Sequence, residues 1–142
     1  MTAANRYLPL AGRLLIGLPF AMSGLSKLGA FAATTGYIAS VGLPLPSLAF
    51  AVSVVVELGG GLLLIAGARA RLAALVLAIF SIVTAIFFHH NFADQNQMFN
   101  FLKNVMMAGG LLQIVAFGAG ALSFDNRGKK AESSDADLSL SR

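Results

Sequence analysis

Long apolar runs separated by short polar links organise this chain. Leu8–Ser26, Leu48–Ala68, Leu72–Phe88 and Asn104–Phe124 are four such runs. Each is close to the roughly 20 residues which, at 1.5 Å rise, cross a hydrocarbon core of about 30 Å. The pattern predicts an all-α fold: a four-helix transmembrane bundle. Between the first two runs, Gly29–Ser47 has no charge, and Phe31, Thr34, Thr35, Ile38 and Val41 recur at near-helical spacing before Leu43-Pro44-Leu45-Pro46. It is too short to span, and reads as an interfacial or re-entrant segment stopped by the prolines, either a connector or a lid. Asn91–Asn100, with Asp94, Gln95, Asn96 and Gln97, reads as a polar outer link. From Asn126 onward Ser, Lys and Asp dominate, so residues 1–125 form the membrane domain and 126–142 a disordered tail. No repeat of 20–50 residues is evident.

Few ionisable residues interrupt the runs. Arg13 and Glu57 lie inside the first two, Lys27 follows the first directly, His89-His90 ends the third, and Lys103 stands at the mouth of the fourth. A charge at the centre of a span costs about 2.5–3.5 kcal/mol on the insertion scale, so each of these is a functional-site hypothesis by default. Basic residues also orient the chain. With four spans, Arg6, Arg13, Arg69, Arg71, Arg127, Lys129, Lys130 and Arg142 fall on one side, and only Lys27 and Lys103 on the other. The positive-inside rule then places both termini in the cytoplasm. A removable signal peptide is the competing reading of the first run. Arg6 and Arg13 would be its basic region, Leu14–Leu25 its apolar core, and Ala30-Phe31-Ala32 its cleavage triplet.

At 100° per residue, Arg13, Gly17, Phe20, Gly24 and Lys27 share one face of the first helix. Ser53, Glu57, Gly61 and Leu64 form a similar stripe on the second, and Lys103, Met107, Gly110, Ile114 and Phe117 on the fourth. Glycines let helices approach closely in lipid, so all three faces are expected to turn inward. Depth favours an intramembrane pair between Arg13 and Glu57, with Lys27 or Lys103 as the other cations able to reach the carboxylate. Such a pair could serve helix register alone. At the outer end, Lys27, His89, His90, Lys103 and Asn104 form the candidate ligand site, flanked by Phe87, Phe88, Phe99 and Phe101. Its histidines offer hydrogen bonding or proton handling, and its depth suits a quinone headgroup or an anionic solute. Adjacent histidines diverge by about 100° on a helix, so they neither chelate one metal nor supply opposed haem ligands within one bundle. Met98, Met106 and Met107 read as packing residues, not copper ligands.

Composition narrows the classes further. Charged residues make up 11% of the chain and mean hydropathy is +0.79, against about 25% charged in soluble domains. The net charge of +4 is scattered over helix ends, which excludes a nucleic-acid groove. The absence of cysteine removes thiolate chemistry, Cys-ligated zinc and iron–sulfur clusters.

The same residues carry a resemblance. Arg13 followed by Gly24-Leu25-Ser26-Lys27-Leu28, then Gly36-Tyr37-Ile38-Ala39-Ser40, Gly42-Leu43-Pro44, Glu57 with its following glycines, His89-His90, Asn100-Phe101-Leu102-Lys103-Asn104 and the Gly118–Asp125 turn together resemble the DoxX family, near its YphA-like inner-membrane members. The likeness runs from Arg6 to Asp125. It implies a small four-helix, multi-pass protein of the bacterial inner membrane. It also implies redox association, since members are similar to a quinone-reducing thiosulfate oxidoreductase subunit. Catalytic residues do not follow from it. Three readings remain: a membrane subunit of a quinone-linked oxidoreductase, a non-catalytic scaffold, and a small-solute or proton transporter. With no haem, flavin or nucleotide motif, any redox chemistry must reside in a bound quinone or a partner protein. The bilayer is the implied partner, with a redox protein or further copies of the chain beside it.

Overall fold

Polar caps and glycines set the helix limits. The computed structural model describes residues 2–127, and six α-helices and a π-helical turn account for most of them. Helix α1, Ala3–Leu28, starts where the Thr2 hydroxyl accepts from the Asn5 N–H. It contains Pro9 and Pro19, which membrane helices tolerate because neighbouring groups satisfy the freed carbonyls. Helix α2, Phe31–Ser40, lies in the first link. Gly42 at φ 79° and Leu45 at φ 53° then turn the chain, and Pro46 opens α3, Pro46–Val54. A π turn over Val55–Gly59 joins α3 to α4, Gly60–Ala66, so that Pro46–Ala66 forms one continuous span. Gly67, at φ 69°, closes α4. Its N–H donates to Leu64 O while that of Ala68 donates to Leu63 O, a pairing that suits a left-handed glycine. Helices α5, Ala70–Phe88, and α6, Gln95–Phe117, complete four helices long and apolar enough to cross a membrane.

Two boundaries of the fourth span differ from the sequence reading. The Asp94 carboxylate accepts from the N–H groups of Asn96 and Gln97, so α6 begins at Gln95, inside the stretch expected to be a loop. It ends at Phe117 rather than Phe124, because Gly118 leaves the helix at φ 84°. Residues 124–127 form a further helical turn. The rest of the expected tail, 128–142, lies outside the described residues.

Small residues bring the spans together. A Cβ on Gly17 would stand 2.9 Å from Gly61 O, one on Gly24 2.6 Å from Leu58 N, and one on Gly61 2.6 Å from Ala21 N. Backbone therefore meets backbone between α1 and the second span, which is how helices associate where lipid is as apolar as leucine. Gly60 admits the side chain of Leu77, and buried Ala70, Ala74, Leu77 and Ser81 carry the contact into α5. Helix α6 packs along α5 through Ala108 and Leu111 and meets α1 over only a short stretch, where Ile16 reaches Gly110. The inward faces of α1 and the second span match expectation. That of α6 matches only in its middle. Met107, Gly110 and Ile114 turn inward, with Gly110 against Ile16 of α1, whereas Lys103 and Phe117 at the two ends are exposed, because α6 packs mainly on α5 through Ala108 and Leu111.

Candidate functional site

Glu57 sits near the middle of the second span, within the π turn, and is 6% exposed. A π turn is costly relative to α-helix and recurs at functional positions. Its Oε2 lies 2.5 Å from Lys27 Nζ, and its Oε1 accepts from Ser23 Oγ at 3.0 Å. Lys27 Nζ also donates to Ser23 Oγ at 3.0 Å. Ser23 and Lys27 are four residues apart on α1, hence neighbours on one face. The three side chains close a triangle that leaves both carboxylate oxygens bonded. This is the one salt bridge among the described residues.

The expected Arg13–Glu57 pair does not form. Arg13, 1% exposed, points the other way. Its Nη1 donates to Leu64 O at 2.9 Å and Ile65 O at 3.2 Å, and its Nη2 donates to Leu122 O. The reason lies in helix geometry: the last four carbonyls of a helix have no partner within it and carry the negative end of the macrodipole. Arg13 is level with the end of α4, so its two Nη groups are satisfied there and in the turn after α6, while its buried Nε has no hydrogen-bond partner among the described residues. Lys27 is left as the cation within reach of Glu57.

Beside the lysine–glutamate pair lies a cavity of about 380 Å³, within the size range of small-molecule sites. Helix α2 roofs it. Ile38, buried, and Thr34 and Tyr37 face it from above, while Ser53, Phe80 and Thr84 line its sides. Aromatic contacts hold the roof down. The Phe31 and Phe50 rings meet edge to face at 4.9 Å between centroids, and those of Tyr37 and Phe88 lie 5.3 Å apart. His89 closes one end, its Nδ1 2.9 Å from Gln97 Oε1. The walls are predominantly apolar, with the polar groups at a few points.

Of the five residues expected to gather at the outer end, Lys27 and His89 line this cavity. His90, one position on, is exposed; its carbonyl accepts from the Phe92 N–H, and its side chain hydrogen-bonds to no described residue. Lys103 is exposed on α6, and Asn104 donates to Asn100 O of its own helix at 2.9 Å. Lys103 and Asn104 miss the site because α6 begins at Gln95 and packs along α5. Of the four flanking phenylalanines, Phe88 reaches the cavity, while Phe101 instead meets Phe92 at 5.1 Å. Ser23, Thr34, Tyr37, Ser53 and Thr84 join the site beyond the expected residues. Ser23 lies four residues before Lys27, Ser53 shares the Glu57 stripe and Thr34 the possible lid; for Tyr37 and Thr84 only the position of the roof reveals the role.

Comparison with known proteins places this geometry. A family model described as DoxX matches residues 8–90. The chain belongs to the DoxX family. It is 35% identical over 130 residues to Inner membrane protein YphA of Escherichia coli (strain K12), covering 88% of this chain and 93% of that protein. It is 34% identical over 116 residues to Inner membrane protein YqjF of the same organism, covering 82% and 88%. No solved structure matches. This DoxX protein is a multi-pass inner-membrane protein, as the relatives' names and the four spans together establish. The DoxX match contains Lys27, Glu57 and His89 and stops before α6. The cavity is thus built from the matched region, whereas Lys103 and Asn104 belong to the span beyond it.

Proposed function

We propose that this protein is a membrane subunit of a redox complex, holding a quinone headgroup in the cavity under α2, with both termini in the cytoplasm. The observation that carries the reading is the combination of apolar walls with a few hydrogen-bonding groups at Lys27, Tyr37, Thr84 and His89. A quinone ring is planar, apolar on its faces and hydrogen-bonding only at its two oxygens, and that donor set fits it. When bound, the quinone supplies the capacity to carry electrons and protons. Lys27 and the Tyr37 and Thr84 hydroxyls would hold it by donating to its ring oxygens. Gln97 Oε1 accepts a hydrogen bond from His89 Nδ1–H, the tautomer in which Nε2 would accept from a hydroxyl of the reduced ring. Helix α2 covers the cavity on one side, and the low dielectric beneath it strengthens each of these bonds. The electron donor is a partner protein.

The test is binding in nanodiscs loaded with short-tailed ubiquinone or menaquinone analogues. His89→Ala and Thr84→Val are expected to weaken binding about tenfold each, roughly the 1.4 kcal/mol of a lost hydrogen bond, with helix content unchanged. A wild type that binds neither analogue overturns the reading. A non-catalytic scaffold then becomes preferable, and one observation favours it: Arg13, Lys27 and Glu57 all have partners within the chain already.

A further inference from the structure

The link between α4 and α5 and the turn after α6 enclose a second hollow, at the end of the molecule where Arg13 is held. Its volume is about 580 Å³. Arg69 and Arg71 line it from the link and the start of α5, Phe117 and Gly118 from the end of α6, and Asp125 from the turn. We propose that this hollow binds the headgroup of an anionic phospholipid, with the phosphodiester against Arg69 and Arg71 and the acyl chains over Leu72 and Phe117.

Charge is the first part of the argument. Two arginines and one carboxylate line the hollow, and that carboxylate is already engaged. Asp125 Oδ1 accepts from the Arg69 N–H at 2.7 Å and Oδ2 from the Ala70 N–H at 2.9 Å. Its own N–H donates to Gly67 O at 3.0 Å. Asp125 therefore fixes the wall of the hollow. Among the described residues neither Arg69 nor Arg71 forms a salt bridge. Arg71 lies across bare backbone: a Cβ on Gly118 would stand 3.3 Å from its Nε and 3.5 Å from Nη2. The guanidinium is thus seated at the hollow, where its planar fork can meet a phosphodiester with two parallel bonds.

The rim is the second part. Phe117 is 80% exposed and Leu72 57% exposed, on the outward faces of α6 and α5. A soluble anion would use the arginines and leave both untouched. A phospholipid uses all four, since its chains run along the span surface below its headgroup. Basic pockets between membrane helices bind anionic headgroups in this way.

The test is native mass spectrometry of the detergent-solubilised full chain after addition of equal phosphatidylglycerol and phosphatidylcholine. The wild type should retain phosphatidylglycerol preferentially. Arg71→Gln should cut the preference about fivefold, and adding Arg69→Gln about fivefold more, the factor that ~1 kcal/mol per basic side chain near an anionic surface corresponds to. Both arginines are exposed, so helix content by circular dichroism should hold. Arg6→Gln is the control, because Arg6 lies at the same end with its guanidinium over the Tyr7 ring. No preference in the wild type overturns the proposal, as does an equal loss in Arg6→Gln, which would mean diffuse attraction. Displacement of the lipid by millimolar inorganic phosphate also overturns it, by showing a soluble-anion site.

Discussion

Arg13 and Lys27 stand fourteen residues apart on one face of α1, about 21 Å along the axis, and both reach toward the second span. Their partners differ in kind. Arg13 bonds three backbone carbonyls, two at the end of α4 and one in the turn after α6. Lys27 bonds the Glu57 carboxylate and the Ser23 hydroxyl. A side-chain partner can be exchanged or neutralised by mutation, but a carbonyl cannot. The Arg13 end is therefore a structural clasp. The Lys27 end keeps polar groups that a ligand could share, beside a cavity roofed by α2.

Arg13→Met should do the most damage, since it leaves Ile65 O and Leu122 O without a donor, at about 1–3 kcal/mol each, and Leu64 O with the Gly67 N–H alone. Unfolding by dodecyl sulfate, followed by circular dichroism, measures it. Adding Glu57→Gln should not rescue it, because the two residues share no partner and their effects should add within about 0.5 kcal/mol. Strong coupling between them would collapse the distinction between the two ends. Lys27→Met should cost about 3–5 kcal/mol by stranding a buried carboxylate, and Lys27→Met with Glu57→Leu should recover part of that loss. An unrecovered double variant would show that Lys27, too, acts on something other than Glu57.

Between the two ends lies the seam that sets them in register. Gly61→Ala places a methyl 2.6 Å from Ala21 N and 2.7 Å from Gly17 O, backbone that cannot swing aside, and should cost about 1–3 kcal/mol. Asp125→Ala removes the acceptor for two N–H groups at the start of α5. It should cost about 1 kcal/mol in the same assay and loosen the Arg13 end alone. Smallest is Tyr37→Phe. Its hydroxyl is 3.5 Å from Phe88 O, too long for a strong bond, so stability should change by less than about 0.5 kcal/mol. A change in quinone binding without a change in stability would mark Tyr37 as belonging to the cavity and not to the clasp.

Four spans were legible in the chain because crossing a bilayer is a local demand, met by each apolar run whatever its neighbours do. The glycine faces of α1 and the second span were legible for a similar reason: helical period and lipid packing act on one helix at a time. The limits of α6 were written in Asp94 and Gly118, yet the apolar run extends past Gly118, so hydropathy placed the helix too late and ended it too late. Helical spacing also carried the whole Lys103 stripe inward, which holds for Met107, Gly110 and Ile114, although α6 leans on α5 through Ala108 and Leu111 and leaves Lys103 outside. What only the tertiary structure decided was the choice of partners. Nothing in the order of residues states that the end of α4 lies level with Arg13, that a π turn holds Glu57 within reach of Lys27, or that α2 folds over Thr84 and His89. Those matches depend on how helices stack in depth and rotation, which no single helix encodes. A buried cation takes the nearest unsatisfied acceptor, and only the assembled bundle determines which acceptor that is.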